Sequence, residues 1–258
     1  MLLLCDVGNT HMVWGVVDDS FSLIHQWRMS THPIKTPDEI QLQLKNFLLD
    51  KKIAWSSVHQ AVISSVVPTV SAVLQQVFSQ KTFLKINHDW PFSFKIKPNP
   101  PQQVGADRLV NAEAVVQEYK APAIIVDSGT ATTICAVSKQ SEYLGGAILP
   151  GIELSMQALA QRTAKLFPID LNQIPEKAIG SNTNDALRSG ILFGYASMVD
   201  AMIEKFKLEM KEPNALVIAT GGVSQYLKNL CENIDICDSD LTLKGMIKLT
   251  VAYQDQAK

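Results

Sequence analysis

Leu3-Leu4-Cys5-Asp6-Val7-Gly8-Asn9-Thr10 is echoed later in the chain by Ile124-Ile125-Val126-Asp127-Ser128-Gly129-Thr130-Ala131. In each stretch an apolar, β-prone run ends in Asp-x-Gly. Small polar residues follow, and then a second apolar run, Met12–Val17 or Thr132–Val137. Asp and Gly dominate turns, so a single copy would say little. Two copies in the same strand-turn-strand context predict a duplicated hairpin. Gly8 and Gly129 clear the side chain where the backbone turns tightly or approaches a ligand. Turn N–H groups can then form an anion-binding concavity. Asn9, Thr10 and Thr130 add amide or hydroxyl donors. The two hairpins are expected to face each other across a cleft, with Asp6 and Asp127 aimed into it. A carboxylate there can hold a metal ion that bridges phosphates. Neither GxxxxGK[ST] nor GxGxxG is present, so this is a different phosphate-binding device from those loops.

Working outward, a second echo pairs Ile63-Ser64-Ser65 with Ile218-Ala219-Thr220-Gly221-Gly222. Both read as short buried strands that lead through small residues into a helix. Around these anchors the first part of the chain reads as strands over 2–7, 12–17 and 21–29. A helix follows, opened by Thr36, Pro37 and Glu39 in the spacing of a capping box. Ile40, Leu44, Phe47 and Leu48 recur on it at helical spacing. A strand over 61–65, a helix over 68–78 and a strand over 83–86 come next. Residues 89–103 hold Pro91, Pro98, Pro100 and Pro101 and read as a connecting loop. A helix over 105–119 closes this half. The second half repeats the plan, with strands over 123–126, 132–137, 143–149, 215–219 and 233–237 and helices over 152–163, 185–210 and 241–253. The expected architecture is α/β, duplicated. Two lobes, 1–118 and 119–258, each carry a mixed five-stranded sheet flanked by helices.

The bulk numbers agree with a packed protein. Of 258 residues, 47% are hydrophobic and 19% charged, a globular balance. A net charge of −2 offers no basic field for a phosphate backbone, which argues against nucleic acid as a partner. The apolar start, Met1 to Cys5, lacks a positive flank and meets Asp6 too soon for a signal peptide. No apolar run approaches the length that spans a bilayer. Cys5, Cys135, Cys231 and Cys237 form no CxxC pair, which suits a reducing compartment. A cytoplasmic protein without membrane partners is expected.

Taken in order, the motifs resemble those of the type III pantothenate kinases, a branch of the acetate and sugar kinase/Hsp70/actin superfamily. The resemblance spans nearly the whole chain. It rests on Asp6-Val-Gly-Asn-Thr10, Ser64-Ser-Val-Val-Pro68, Gly105-Ala-Asp-Arg108 with Asn111-Ala112, Asp127-Ser-Gly-Thr-Ala131, Gly145-Gly-Ala-Ile-Leu-Pro-Gly151, Gly180-Ser-Asn-Thr183 and Thr220-Gly-Gly222. It implies two ribonuclease H-like, actin-like ATPase lobes. It also implies transfer of the γ-phosphate of ATP to the primary hydroxyl of pantothenate, the first step of coenzyme A synthesis.

By the same resemblance Asp6, Val7, Gly8, Asn9, Thr10 and His11 form the phosphate hairpin, with Asp6 near magnesium. Gly105, Ala106, Asp107 and Arg108 bind pantothenate, and Asp107 is the general base. Asp127 holds a monovalent cation, potassium or ammonium. Thr130 touches ATP, and Gly221 and Gly222 flank the adenosine. Thr183 reaches pantothenate in the partner's site of a homodimer. Elementary chemistry points the same way for Asp107 and Arg108: a primary alcohol needs a proton acceptor, and a carboxylate substrate or a phosphate needs a cation. Two departures stand out. Lys97-Pro98-Asn99-Pro100 lacks the aromatic residue common before Gly-Ala-Asp-Arg, and Phe167 interrupts what is commonly Leu-Pro. Two alternatives use the same fold: a kinase of another small hydroxylated metabolite, and a non-catalytic regulatory accessory factor.

Overall fold

A computed structural model describes residues 1–256. In chain order the elements are β1 (Leu2–Val7), β2 (His11–Val17), β3 (Leu23–Ser30), α1 (Pro37–Asp50), β4 (Gln60–Ser65), α2 (Pro68–Val77), β5 (Thr82–Lys85), β6 (Lys95–Ile96) and α3 (Ala106–Glu118). They continue as β7 (Ala123–Ser128), β8 (Ala131–Val137), β9 (Glu142–Pro150), α4 (Ile152–Arg162), α5 (Thr183–Met210), β10 (Leu216–Thr220), α6 (Ser224–Leu230), β11 (Ile236–Cys237) and α7 (Leu241–Gln256). Two compact units result. One comprises residues 1–93, 98–117 and 241–256; the other comprises Phe94–Lys97 and Glu118–Asp240. The first thus contains α7, which lies beyond the whole of the second in sequence.

The first unit is built on a sheet of order β3-β2-β1-β4-β5. β1 runs antiparallel to β2 and parallel to β4, so the hairpin and the crossover meet at the central strand. Side chains alternate across it. Leu3, Cys5 and Val7 join Trp14, Ile63 and the buried faces of α1 and α2. Leu2, Leu4 and Val62 face the other way, against Val110 of α3 and Leu243, Met246 and Leu249 of α7. With helices on both faces, β1 has no polar position before Asp6 at its end. α1 begins as its sequence predicts: Glu39 Oε2 accepts from the Thr36 N–H at 2.8 Å, and Thr36 accepts from Glu39 N–H at 3.4 Å. Ile40, Leu44 and Leu48 are buried, but Phe47 lies on the outer flank, where it stacks on Trp27 at 5.2 Å.

The second unit repeats the order, β11-β10-β7-β8-β9-β6, with β7 antiparallel to β8 and parallel to β10. This sheet has six strands rather than the expected five. The sixth, β6, comes from the segment expected to be loop throughout. Lys95 and Ile96 pair in parallel with Glu142 and Tyr143 of β9, and Lys97 adds an ion pair to Glu142 at 3.1 Å. A 3₁₀ turn, Pro101–Gln103, follows in the same Pro-rich stretch. Ile124, Val126 and Ile134 pack one face of the sheet against Leu192, Val199 and Ile203 of α5 and Leu227 of α6. Among the described residues no helix is long and apolar enough to cross a membrane.

Candidate functional site

In the first unit, β1 ends at Val7 and β2 begins at His11, so the turn is tight. Gly8 N–H donates to the His11 carbonyl at 3.0 Å. Asn9, Thr10 and His11 are exposed at its tip. Two further bonds shape it from behind. The buried Thr31 hydroxyl donates to the Gly8 carbonyl at 2.8 Å, and the Thr31 N–H donates to the Thr10 carbonyl at 2.9 Å. Carbonyl oxygens drawn back this way are not at the tip to repel an anion. Thr31 carries no local sequence signal for this role, since it sits just past the end of a strand.

The segment 105–108 belongs to the same unit and is brought to the same end of the sheet. Val66 N–H donates to the Val7 carbonyl at 3.1 Å. Val66 also packs under Gly105, where a β-carbon would lie 3.6 Å from its Cγ1. α3 starts at Ala106, which places Asp107 in its first turn, where the helix dipole favours a carboxylate. The Arg108 N–H donates to Asp107 Oδ1 at 2.8 Å. That oxygen folds back over Gly105, so any side chain at 105 would collide with it. Burial pushes the Asp107 carboxyl above the usual range, against the opposing pull of the Arg108 N–H and guanidinium. A carboxylate held this way is a stronger proton acceptor than an exposed one.

In the second unit the β7–β8 turn is fastened by Gly151, whose N–H donates to the Thr130 carbonyl at 3.0 Å. Gly151 is the N-cap of α4, so the helix start and the turn are one construction. Gly221 has φ +93°, in the region that favours glycine. A β-carbon there would strike the Ser128 carbonyl and come within 2.7 Å of Asp127 Oδ1. The Gly221 backbone thus packs so closely on the Ser128 carbonyl and the Asp127 carboxylate that only glycine fits, and these two hard oxygen donors, of the kind a cation takes, lie side by side at the strand end. The Ser224 hydroxyl donates to the Gly221 carbonyl at 2.8 Å and holds this corner. Thr183 lies on α5, exposed at its first position behind the Asn182 cap that accepts from Asp185 N–H at 3.0 Å.

Asp6, the turn 7–11 and the segment 105–108 therefore sit in the first unit. Asp127, Thr130, Gly221 and Gly222 sit in the second. No group of three or more His, Cys, Asp or Glu side chains gathers among the described residues. A divalent ion beside Asp6 would take most of its ligands from phosphate oxygens and water, as magnesium usually does.

The comparisons with known proteins follow this geometry. The model of the type III pantothenate kinase family matches residues 2–205. A type III pantothenate kinase from Rubrobacter xylanophilus is 42% identical, with all of both chains covered. One from Halalkalibacterium halodurans is 40% identical over 95% of this chain and 97% of its own. Among solved structures, a Campylobacter jejuni chain assigned provisionally to the Baf family of transcriptional activators aligns with TM-score 0.60 at 22% identity, over 99% of this chain and 100% of its own. The activator of the 2-hydroxyisocaproyl-CoA dehydratase from Clostridium difficile, solved with bound ADPNP, aligns with TM-score 0.55 at 11% identity, over 99% of this chain and 95% of its own. At those identities the two structures speak for the fold alone, the duplicated actin-like architecture. Sequence identity over the full length, on a chain whose two Asp-x-Gly hairpins and Gly-Ala-Asp-Arg segment are built as described, decides the rest: the chain belongs to the type III pantothenate kinase family.

Proposed function

We infer that the chain phosphorylates pantothenate with ATP, the entry step of coenzyme A synthesis, and that its residues divide the work as follows. The turn from Asp6 to His11 receives the transferring phosphate. Gly105 to Arg108 bind pantothenate, with Arg108 as the cation toward its carboxylate or the phosphate. Asp107 accepts the proton of the primary hydroxyl as that oxygen bonds to the γ-phosphorus. The bond from phosphorus to the β,γ-bridging oxygen breaks, ADP departs with that electron pair, and Asp107 returns its proton to solvent. A magnesium ion beside Asp6 supplies neutralisation of the phosphate oxygens. Asp127 holds potassium or ammonium, its carboxylate and the adjacent Ser128 carbonyl being hard oxygen donors. Thr130 touches ATP, and Gly221 with Gly222 lies beside the adenosine. Thr183 serves pantothenate in the partner subunit's site. A homodimer also accounts for Ile148 and Ile179, apolar side chains of the second unit left 65% and 89% exposed.

The observation that carries the acid–base assignment is the Asp107 carboxylate, held by Arg108 N–H over the bare Gly105. A coupled ATP-consumption assay tests it, with pantothenate, magnesium and either potassium or sodium. Turnover should require pantothenate, be faster in potassium, and fall by about 10²–10⁴-fold in Asp107→Asn. Absence of pantothenate-dependent turnover in both cations overturns the reading. The pH dependence has a definite sign. Because burial raises the Asp107 pKa, activity falls as the pH drops through that raised value and the base is protonated. Stability runs the other way: the part contributed by neutral Asp107 is present below the unfolded pKa and is lost as the pH rises through the folded one. Asp107→Asn removes that loss, so at neutral pH the inactive variant should melt no lower than the wild type.

A further inference from the structure

Ser64 and Ser65 are adjacent at the end of β4, yet their hydroxyls fare differently. Ser65 Oγ accepts from the Ser71 hydroxyl at 2.8 Å and from Val67 N–H at 3.2 Å. Ser64 is 0% exposed, and its Oγ has no hydrogen-bond partner among the described residues. A buried hydroxyl without a partner is costly, so native proteins seldom leave one without a use. The strand register says what lies beside it. β1 and β4 are parallel, with Ser64 opposite Asp6. Partners in register point to the same face, about 5 Å apart. That face is the one that Leu2, Leu4 and Val62 turn toward α3 and α7. Asp6 and Ser64 are its last positions, at the end of the sheet where Val66 meets Gly105.

We propose that Ser64 is a positioning residue for Asp6: its hydroxyl turns onto the Asp6 carboxylate and fixes that carboxylate for the divalent ion that accompanies ATP. Ser64 is fully covered by protein, so it reaches neither nucleotide nor pantothenate and acts through its neighbour. Asp6 is at the surface end of its strand and only partly buried, which lets it meet the ligand that Ser64 cannot. Carboxylates that serve metals are themselves hydrogen-bonded, and loss of such a partner typically lowers metal affinity about 10–100-fold. This inference rests on the reading of Asp6 given above and specifies how that site is kept in shape.

The test uses full-length wild type, Ser64→Ala, Asp6→Asn and the double variant. Manganese is titrated in the presence of a non-hydrolysable ATP analogue and followed by thermal shift, and the metal dependence of the kinase rate is measured alongside. Ser64→Ala removes one buried oxygen and adds no bulk, so the ligand-free melting temperature should be unchanged or higher. Its half-saturating manganese concentration should rise about 10–100-fold, with the KM for pantothenate unchanged. In the Asp6→Asn background the same substitution should do nothing further, because its route is gone. Unchanged manganese dependence in Ser64→Ala overturns the proposal. So does a lower ligand-free melting temperature, which would show the hydroxyl already bonded in the resting protein. So does an additive effect in the double variant. A wild type whose melting does not respond to manganese, or an Asp6→Asn variant with wild-type metal dependence, sinks the reading of Asp6 itself, which separates the two failures.

Discussion

The two Asp-x-Gly hairpins are copies in plan but not in length. In the first, Val7 pairs with Met12, leaving residues 8–11 to make the turn; in the second, Ser128 pairs with Thr132, leaving only 129–131. Their supports differ as well. The longer turn is tied back by Thr31, on a segment that follows β3, through one side-chain and one backbone bond. The shorter turn is tied by the backbone N–H of Gly151, at the head of a helix. The first carries exposed amide and hydroxyl groups, Asn9 and Thr10. The second sets its carboxylate against a glycine with positive φ. The same frame thus occurs twice, and loop length and fastening set the copies apart: one presents an exposed polar turn, the other packs its carboxylate against a glycine.

Charge removal separates the copies most sharply. Asp6→Asn should cost about 10²–10³-fold in turnover, the scale for deleting a preorganised charge-stabilising group, whichever monovalent cation is present. Asp127→Asn should cost less and should abolish the difference between potassium and sodium. Equal losses with the cation preference intact would break the comparison, and steady-state rates in both salts decide it. A pair of glycine substitutions comes next. Gly105→Ala meets only the movable end of Asp107, so the fold should survive while the carboxylate shifts and kcat falls up to about 10²-fold. Gly221→Ala meets the Ser128 backbone at a positive φ, so it should cost about 1–3 kcal/mol of stability, read from denaturant midpoints. Thr31→Val is the smallest, about 1 kcal/mol from one hydroxyl-to-carbonyl bond, with a higher KM for ATP as the turn loosens.

Much of this was legible because the signals are local. The strand ends at Asp6 and Asp127, the capping box of Thr36 and Glu39, and the long helix ending at Met210 are written in consecutive residues. What was not legible depends on contacts distant in sequence. β6 is two residues long and exists only because Glu142 and Tyr143 offer it an edge, so no alternation could announce it. The pattern of α1 put Phe47 with the core positions, but stacking on Trp27 holds it outside. The site shows the same division. Gly-Ala-Asp-Arg is visible as a motif. The bonds from Thr31 to the turn, and the pairing of Ser64 with Asp6, appear only once the strands are in register.

α7 has a consequence for how the molecule is made. Leu243, Met246 and Leu249 cover one face of β1 and β4, alongside Leu2, Leu4 and Val62. A ribosome emits β1 first and α7 only after the whole second unit has emerged. Until then that face is covered only in part, by Val110 of α3 and its neighbours, and the hydrophobic burial of its leucines, about 1.5–3 kcal/mol each, is incomplete. The second unit draws all its strands from residues 94–240 and can close while synthesis continues. Order of synthesis and order of completion are therefore inverted: the unit whose residues come first is completed last, and a nascent chain cut short before Leu241 would lack the α7 cover for the strand that carries Asp6.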